Sequence, residues 1–207
     1  MTDLETTWDD RLHISTIGRD DLKSDEYRYP YEPTPYSVLE RLADSGMISP
    51  DDVVLDYGCG KGRVDFFLSH QTGANTIGIE YDDRIYGDAL ANQQTADTGA
   101  SADFVLTRAE EYDLPAEVNR CYFFNPFSVE ILHKVMARIL DSYYEEPREI
   151  LLFFYYPSDD YVAYLMTVDE LDFYDEIDCD DLFEGNDHRE RILIFSLLDY
   201  EYEEYYP

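Results

Sequence analysis

The stretch VVLDYGCGKGR, residues 53–63, constrains the fold of this chain more than any other. It reads as a short apolar strand, Val53–Tyr57, then glycines at 58, 60 and 62, then a helix carrying Val64, Phe66, Phe67 and Leu68. Glycine lets the backbone turn tightly and approach a ligand with no Cβ in the way. Further strands are expected at Thr76–Glu80, Asp103–Leu106, Arg120–Phe124 and Glu149–Tyr155. The last of these is almost wholly apolar, which suits a sheet covered on both faces. Helices are expected over 83–97, with Ile85, Ala89 and Leu90 inward, and over 129–143, with Ile131, Leu132, Val135, Met136, Ile139 and Leu140 as its stripe. A shorter one should carry Val162, Ala163 and Leu165.

Strands alternating with helices at this spacing predict an α/β domain with a Rossmann-like, mostly parallel sheet and helices on both faces. The last third departs from that rhythm. Leu171–Ile177 and Arg191–Leu198 read as a C-terminal antiparallel hairpin joined by the acidic loop DDLFEGNDH, and EYEEYYP as a frayed end. Upstream, residues 1–32 are expected to form an irregular or partly helical lead-in to one domain spanning 33–207. Ser37 or its neighbour should start a helix through Val38, Leu39 and Leu42 that stops at Gly46.

The glycine turn has an acidic partner. Its strand ends in Asp56, and the second strand ends in Glu80 within IGIEYDD. A carboxylate after the second strand can accept both ribose hydroxyl hydrogens. Together these features indicate an adenosine-containing ligand. Lys61 does not make a phosphate loop, because Gly62 and Arg63 follow it where GK[ST] order is needed. A dinucleotide turn usually reads GxGxxG, and Asp56 would sit badly beside a pyrophosphate. It would sit well beside an amino-acid ammonium, which favours S-adenosyl-L-methionine.

On these residues the chain resembles the class I S-adenosylmethionine-dependent methyltransferases, over roughly residues 33–198. The family's VLDxGxGxG corresponds to Val54–Gly62. The resemblance implies that Asp56, Gly58, Cys59 and Gly60 hold the methionine part and that Glu80 holds the ribose. It implies Tyr81 and Asp82 beside the adenine. The acid expected after the third strand is displaced: Arg108 stands in its place, and Glu110 is the candidate. YEPTPY, residues 31–36, is similar to a Thr-Pro element of amino methyltransferases, which implies Thr34 at the ligand carboxylate, with Tyr31 and Tyr36 closing the pocket. FFNPFSVE, residues 123–130, is similar to their (Asn/Asp)-Pro-Pro-(Tyr/Phe) motif, with Phe127 and Ser128 departing from it. Asn125, Pro126 and Phe127 are thereby the candidate catalytic residues, with Asn125 also near the cofactor. NPF also turns the chain, and Ser128 suits a helix cap. YYPSDDY adds Tyr156 and Asp159 on the substrate side by position alone.

Charge then bears on the acceptor. The 207 residues hold 47 Asp and Glu against 15 Lys and Arg, a formal net charge of -32. Such a surface repels phosphate backbones, so free duplex nucleic acid is not the expected partner. A basic protein or a small molecule fits better, and an amine nitrogen is the expected methyl acceptor. The alternatives left open are a nicotinamide-dependent (NAD) oxidoreductase and a non-catalytic Rossmann-like binding or scaffold protein. Three widely spaced cysteines, no basic apolar leader and no long apolar run suggest a reducing, cytoplasmic setting with no membrane and no metal.

Overall fold

The computed structural model describes residues 3–23, 26–97, 99 and 101–197. The helix α1 (Leu4–Leu12) opens the chain, and α2 (Tyr36–Asp44) follows. The alternating core is β1 (Val53–Tyr57), α3 (Arg63–Thr72), β2 (Asn75–Glu80), α4 (Asp83–Gln93), β3 (Ala102–Leu106), β4 (Arg120–Phe123), α5 (Val129–Glu145) and β5 (Ile150–Tyr155). Then come α6 (Asp159–Leu165), β6 (Asp172–Asp178) and β7 (Arg191–Leu197). One seven-stranded sheet results, in the order β3-β2-β1-β4-β5-β7-β6.

The first five strands are parallel, while β7 runs antiparallel to β5 and β6 antiparallel to β7. The expected C-terminal hairpin is therefore an edge of the main sheet. β1 lies between β2 and β4, so the strand order reverses there. In open α/β sheets a crevice forms at that reversal, outside the carboxyl ends of the strands.

Both faces are covered, as the apolar run of β5 requires. Its Leu151, Phe153 and Tyr155 pack with α1–α4, while Ile150, Leu152 and Phe154 pack with α5 and α6. The period of two along a strand sends alternate residues to the two cores. β6 is exposed along almost its whole length and carries Asp172, Asp175, Glu176 and Asp178. Charges of one sign on an edge strand discourage pairing with another chain.

Several boundaries differ from expectation. The helix expected over 83–97 ends at Gln93, followed by a turn, and β4 stops at Phe123 because Asn125 turns left-handed, with φ 44°. The lead-in is more ordered than its composition suggested: Trp8 and Leu12 of α1 enter the core against Tyr36 and Phe67. Ser128 holds the N-cap position of α5, yet its hydroxyl makes no capping bond. The predicted frayed end and Leu198 lie outside the described residues. Among the described residues, no helix is long and apolar enough to cross a membrane, and no group of His, Cys, Asp and Glu is arranged to hold a metal ion.

Candidate functional site

Two clefts open at the carboxyl ends of the strands. The first lies over β1 and β2 and is lined by Asp56, Gly58, Cys59 and Glu80, with Tyr81 and Glu110 at one end and Thr34 and Arg63 at the other. The turn between β1 and α3 gives it its floor. Gly58, Gly60 and Gly62 all have positive φ, of 80°, 57° and 84°. A side chain at Gly58 would meet Pro126, with a Cβ only 2.7 Å from that ring, and one at Gly60 would run into the ring of Tyr31. The glycines are thus required twice, by backbone angle and by what packs over them.

Glu80 is nearly buried and receives three backbone N–H groups, from Gly60 at 3.1 Å, Tyr81 at 2.9 Å and Asp82 at 2.8 Å. Those bonds fix the carboxylate at the strand end. Burial still raises its pKa above the ordinary value, against the pull of the three donors.

Asp56 and Asp65 form the unusual part. Asp56 ends β1, and Asp65 lies on the first turn of α3; both are buried. Neither Asp65 oxygen receives an N–H or O–H from elsewhere in the protein. Burial pushes Asp56 up to about 8, with Asp65 bonding it and Glu80 repelling it. Asp65 is pushed up too, by burial and then by the Asp56 charge. A proton shared between the two carboxyls satisfies this geometry, because two charges so close and so dry cannot both persist. Cys59 beside them is held as a thiol by burial and the same acids. This wall of the cleft therefore carries buried acids and would be relieved by a ligand cation.

The remaining expected residues fall out unevenly. Asp82 caps α4, accepting from the Arg84 and Ile85 amides, and pairs with Lys23 and Arg84. Its carboxylate is thereby spent on the fold, although it lines the cleft. Glu110 sits on the 3₁₀ turn Ala109–Glu111 and pairs with Arg28 at 2.6 Å, while the Arg28 guanidinium lies 5.1 Å from the centre of the Tyr81 ring. The Thr34 hydroxyl meets Tyr122 Oη at 3.0 Å, and its carbonyl accepts from Arg63. Tyr31 lines the cleft, but Tyr36 does not: it is fully buried and donates to Asp9. Phe127 lines the cleft with one edge, and its ring belongs to the core beside Phe123 and Tyr161.

Asn125 faces elsewhere. It lines the second cleft, over β4 and β5, together with Phe124, Tyr155, Tyr156, Phe183 and Glu190. Its Oδ1 is buried with no hydrogen-bond partner. Tyr156, just past the end of the next strand and lining the same cleft, is also left-handed, with φ 50°. Non-glycine residues held in that region carry strain that the surroundings must sustain, and such strain gathers at working sites. Asp159, by contrast, is exposed at the start of α6 and lines neither cleft. The two clefts share Tyr29, Pro30, Glu32, Pro33 and Phe124, so they adjoin along these residues.

The sequence reading missed Arg63, Asp65, Glu32 and Glu190. Arg63 is buried, bonds Glu5, Thr16 and the Thr34 carbonyl, and thereby ties the lead-in to the glycine turn. Its signal was a base directly after the last glycine. Glu190 had none, because only folding brings the hairpin loop to β4 and β5.

The strand order, the glycine turn and the acid after the second strand together define the fold of the class I S-adenosylmethionine-dependent methyltransferases. Solved structures share this fold, and one curated methyltransferase matches part of the sequence. Over 86 residues the chain is 33% identical to a protein-lysine N-methyltransferase of Saccharolobus islandicus, a match covering 41% of this chain and 53% of the relative. The chain thus spans about half the length of that curated relative. An RNA methyltransferase from Salinibacter ruber, solved with S-adenosyl-L-homocysteine, covers 85% of this chain and 100% of its own at 19% identity and a TM-score of 0.53. TYW2 of P. horikoshii, solved with MeSAdo, covers 84% of this chain and 71% of its own at 13% identity and a TM-score of 0.56. No family model matches the chain.

Proposed function

We propose that the chain binds S-adenosyl-L-methionine in the first cleft and transfers its methyl group to an amine nitrogen, with a protein lysine as the favoured acceptor. The observation that carries this reading is the buried Asp56–Asp65 pair beside an anchored Glu80. Buried carboxyls without a basic partner suit a ligand that brings a positive charge. The methionine end brings an ammonium and the reactive centre a sulfonium. The fit extends to the backbone: Gly58 and Cys59 line the floor, where a Cβ at Gly58 would already collide with Pro126. A pyrophosphate would meet the same acids unfavourably, which counts against the nicotinamide alternative.

When bound, the cofactor would supply a methyl group activated on its sulfonium, which a neutral amine would take, leaving the carbon–sulfur pair on sulfur and the new positive charge on nitrogen. The protein need only bring the partners together, aligned and dry. Asn125 Oδ1, which has no partner in the protein, would accept an N–H of the amine and set the direction of its lone pair. The aromatic walls of the second cleft would flank the lysine stem, and the ammonium would shed one proton to water before the neutral amine attacks.

The lysine preference draws on two supports: the name of the Saccharolobus relative and the net charge of -32, which favours a basic partner over RNA. The test is calorimetric titration with S-adenosyl-L-homocysteine, with Asp56→Ala and Glu80→Ala in parallel. Saturable binding weakened by both substitutions is expected. A folded wild-type protein that binds no S-adenosyl-L-homocysteine but binds NAD would overturn the reading.

A further inference from the structure

The second cleft has a composition that the methyltransferase reading alone does not explain. Its walls are aromatic: Tyr29, Phe124, Tyr155, Tyr156 and Phe183. Its charged members are two carboxylates, Glu32 and Glu190, and no Lys or Arg lines it. The bases nearby are committed outside it. Arg189 is paired with Asp187 at 3.0 Å and bonds Tyr156 Oη at 2.6 Å, and its guanidinium lies over the Tyr156 ring. Arg191 pairs with Glu176 on the far strand. Glu190, by contrast, accepts from a neutral group, the Tyr155 hydroxyl at 2.7 Å. Glu32 is half-exposed at the mouth and has a loose pairing with Arg19 at 3.6 Å.

A slot with aromatic sides, one carboxylate bonded to a neutral phenol and another in a loose, exposed ion pair suits one kind of guest: a long apolar stem ending in a cation. We propose that this cleft is the receptor for the acceptor's lysine side chain, and that Glu190 and Glu32 are the residues that select a cationic head over a neutral one. This rests on the methyltransferase reading and deepens it. The Tyr155 hydroxyl orients Glu190 from one side. The ammonium approaches from the other, with its stem along Tyr156 and Phe183 and its head toward Asn125. The hairpin loop between β6 and β7 supplies both Phe183 and Glu190. Acceptor choice is thereby placed on the part of the chain that departs from the parallel pattern. The acids of β6 extend the same field outward, which would draw in a basic segment.

The test uses the full chain saturated with S-adenosyl-L-homocysteine. The probes are an acetylated, amidated Gly-Ser peptide carrying a single lysine and the same peptide with norleucine in its place. Binding is followed by NMR titration. The lysine peptide should bind and the norleucine peptide should not. Glu190→Gln should weaken lysine-peptide binding by about tenfold, the loss of one charge-assisted contact. Glu32→Gln should weaken it less, because that group is half in water. Glu190→Gln should not alter S-adenosyl-L-homocysteine affinity, since Glu190 lines the second cleft and not the first. Phe183→Ala is a second variant that removes a wall without touching charge, and it should also weaken lysine-peptide binding while leaving S-adenosyl-L-homocysteine affinity unchanged. Equal binding of the two peptides, or wild-type lysine affinity in Glu190→Gln, would overturn the assignment. Failure of wild-type protein to bind S-adenosyl-L-homocysteine would instead strike the underlying methyltransferase reading.

Discussion

The two halves of the sheet meet their ligand clefts in opposite ways. On the β1–β2 side the backbone makes the site. Three glycines with positive φ form the floor, and Glu80 is held by three amides. On the β4–β5 side the side chains make the site. There the left-handed positions are Asn125 and Tyr156, residues whose side chains line the second cleft. Glycine serves where a ligand must touch the main chain, and a strained side chain serves where a group must be presented. The halves are joined by the β1–β4 pairing, and above it Pro126 closes over Gly58.

The sharpest way to break this contrast is to remove the one side chain on which the backbone half depends. Glu80→Ala leaves three amides without their acceptor and would remove the two ribose contacts proposed for it. S-adenosyl-L-homocysteine affinity should fall about 100-fold, as expected for two charge-assisted hydrogen bonds. Calorimetry reads this directly. A tenfold or smaller loss would mean that Glu80 only braces the turn.

Acidity is the next largest lever. Asp56 is pushed up to about 8, so below that pH it shares a proton that a ligand ammonium must displace. Affinity for S-adenosyl-L-homocysteine should rise with pH from 6 to 8, by up to about tenfold per unit if one proton leaves. 5′-Methylthioadenosine, which lacks the ammonium, should show a flat profile, and Asp56→Asn should flatten the first. Stability has the opposite slope. With its pKa above the ordinary carboxylate value, Asp56 favours the folded state most below that ordinary value, and the contribution is lost as pH rises through about 8. Parallel slopes for the two ligands would show that the acids do not face the ammonium.

The same contrast explains what the sequence disclosed. Val53–Tyr57 was legible to the residue, and so were Asp56 and Glu80, because a backbone-built site leaves a contiguous pattern of strand, glycines and acid. The side-chain half was only partly legible. Asn125 could be singled out from NPF, but its cleft could not, since Glu32, Phe183 and Glu190 come together only when β7 slots beside β5. Asp82, two residues after Glu80, lines the cleft and at the same time caps α4, a second role the sequence did not separate. Tyr36 shows a hazard, an aromatic beside the right motif that packs into the core.

Gly58→Ala probes the contact between the halves. An alanine at φ 80° costs about 1–2 kcal/mol in backbone strain alone. Its Cβ would also displace Pro126, which stands 2.7 Å away. Chemical denaturation should show the combined loss, and adding Pro126→Gly should recover only the steric part. Full recovery in the double variant would assign the whole cost to the clash and none to the turn.

The smallest effect is the most discriminating. Asn125 adopts φ 44°, which asparagine tolerates better than most residues and glycine better still. Asn125→Gly should therefore leave stability unchanged or raise it by at most about 1 kcal/mol, because the strain is relieved and the added unfolded-state entropy of glycine offsets part of the gain. Its Oδ1 has no partner to lose. Cofactor affinity should hold, since Asn125 lines the second cleft and not the first. Methyl transfer to a lysine peptide should nevertheless fall, with kcat reduced more than KM is raised, as expected for a group that orients the nucleophile. If Asn125 only turns the chain, glycine would serve as well and turnover would persist. Stability and turnover moving in opposite directions at one residue would identify a side chain retained for chemistry at a cost to the fold.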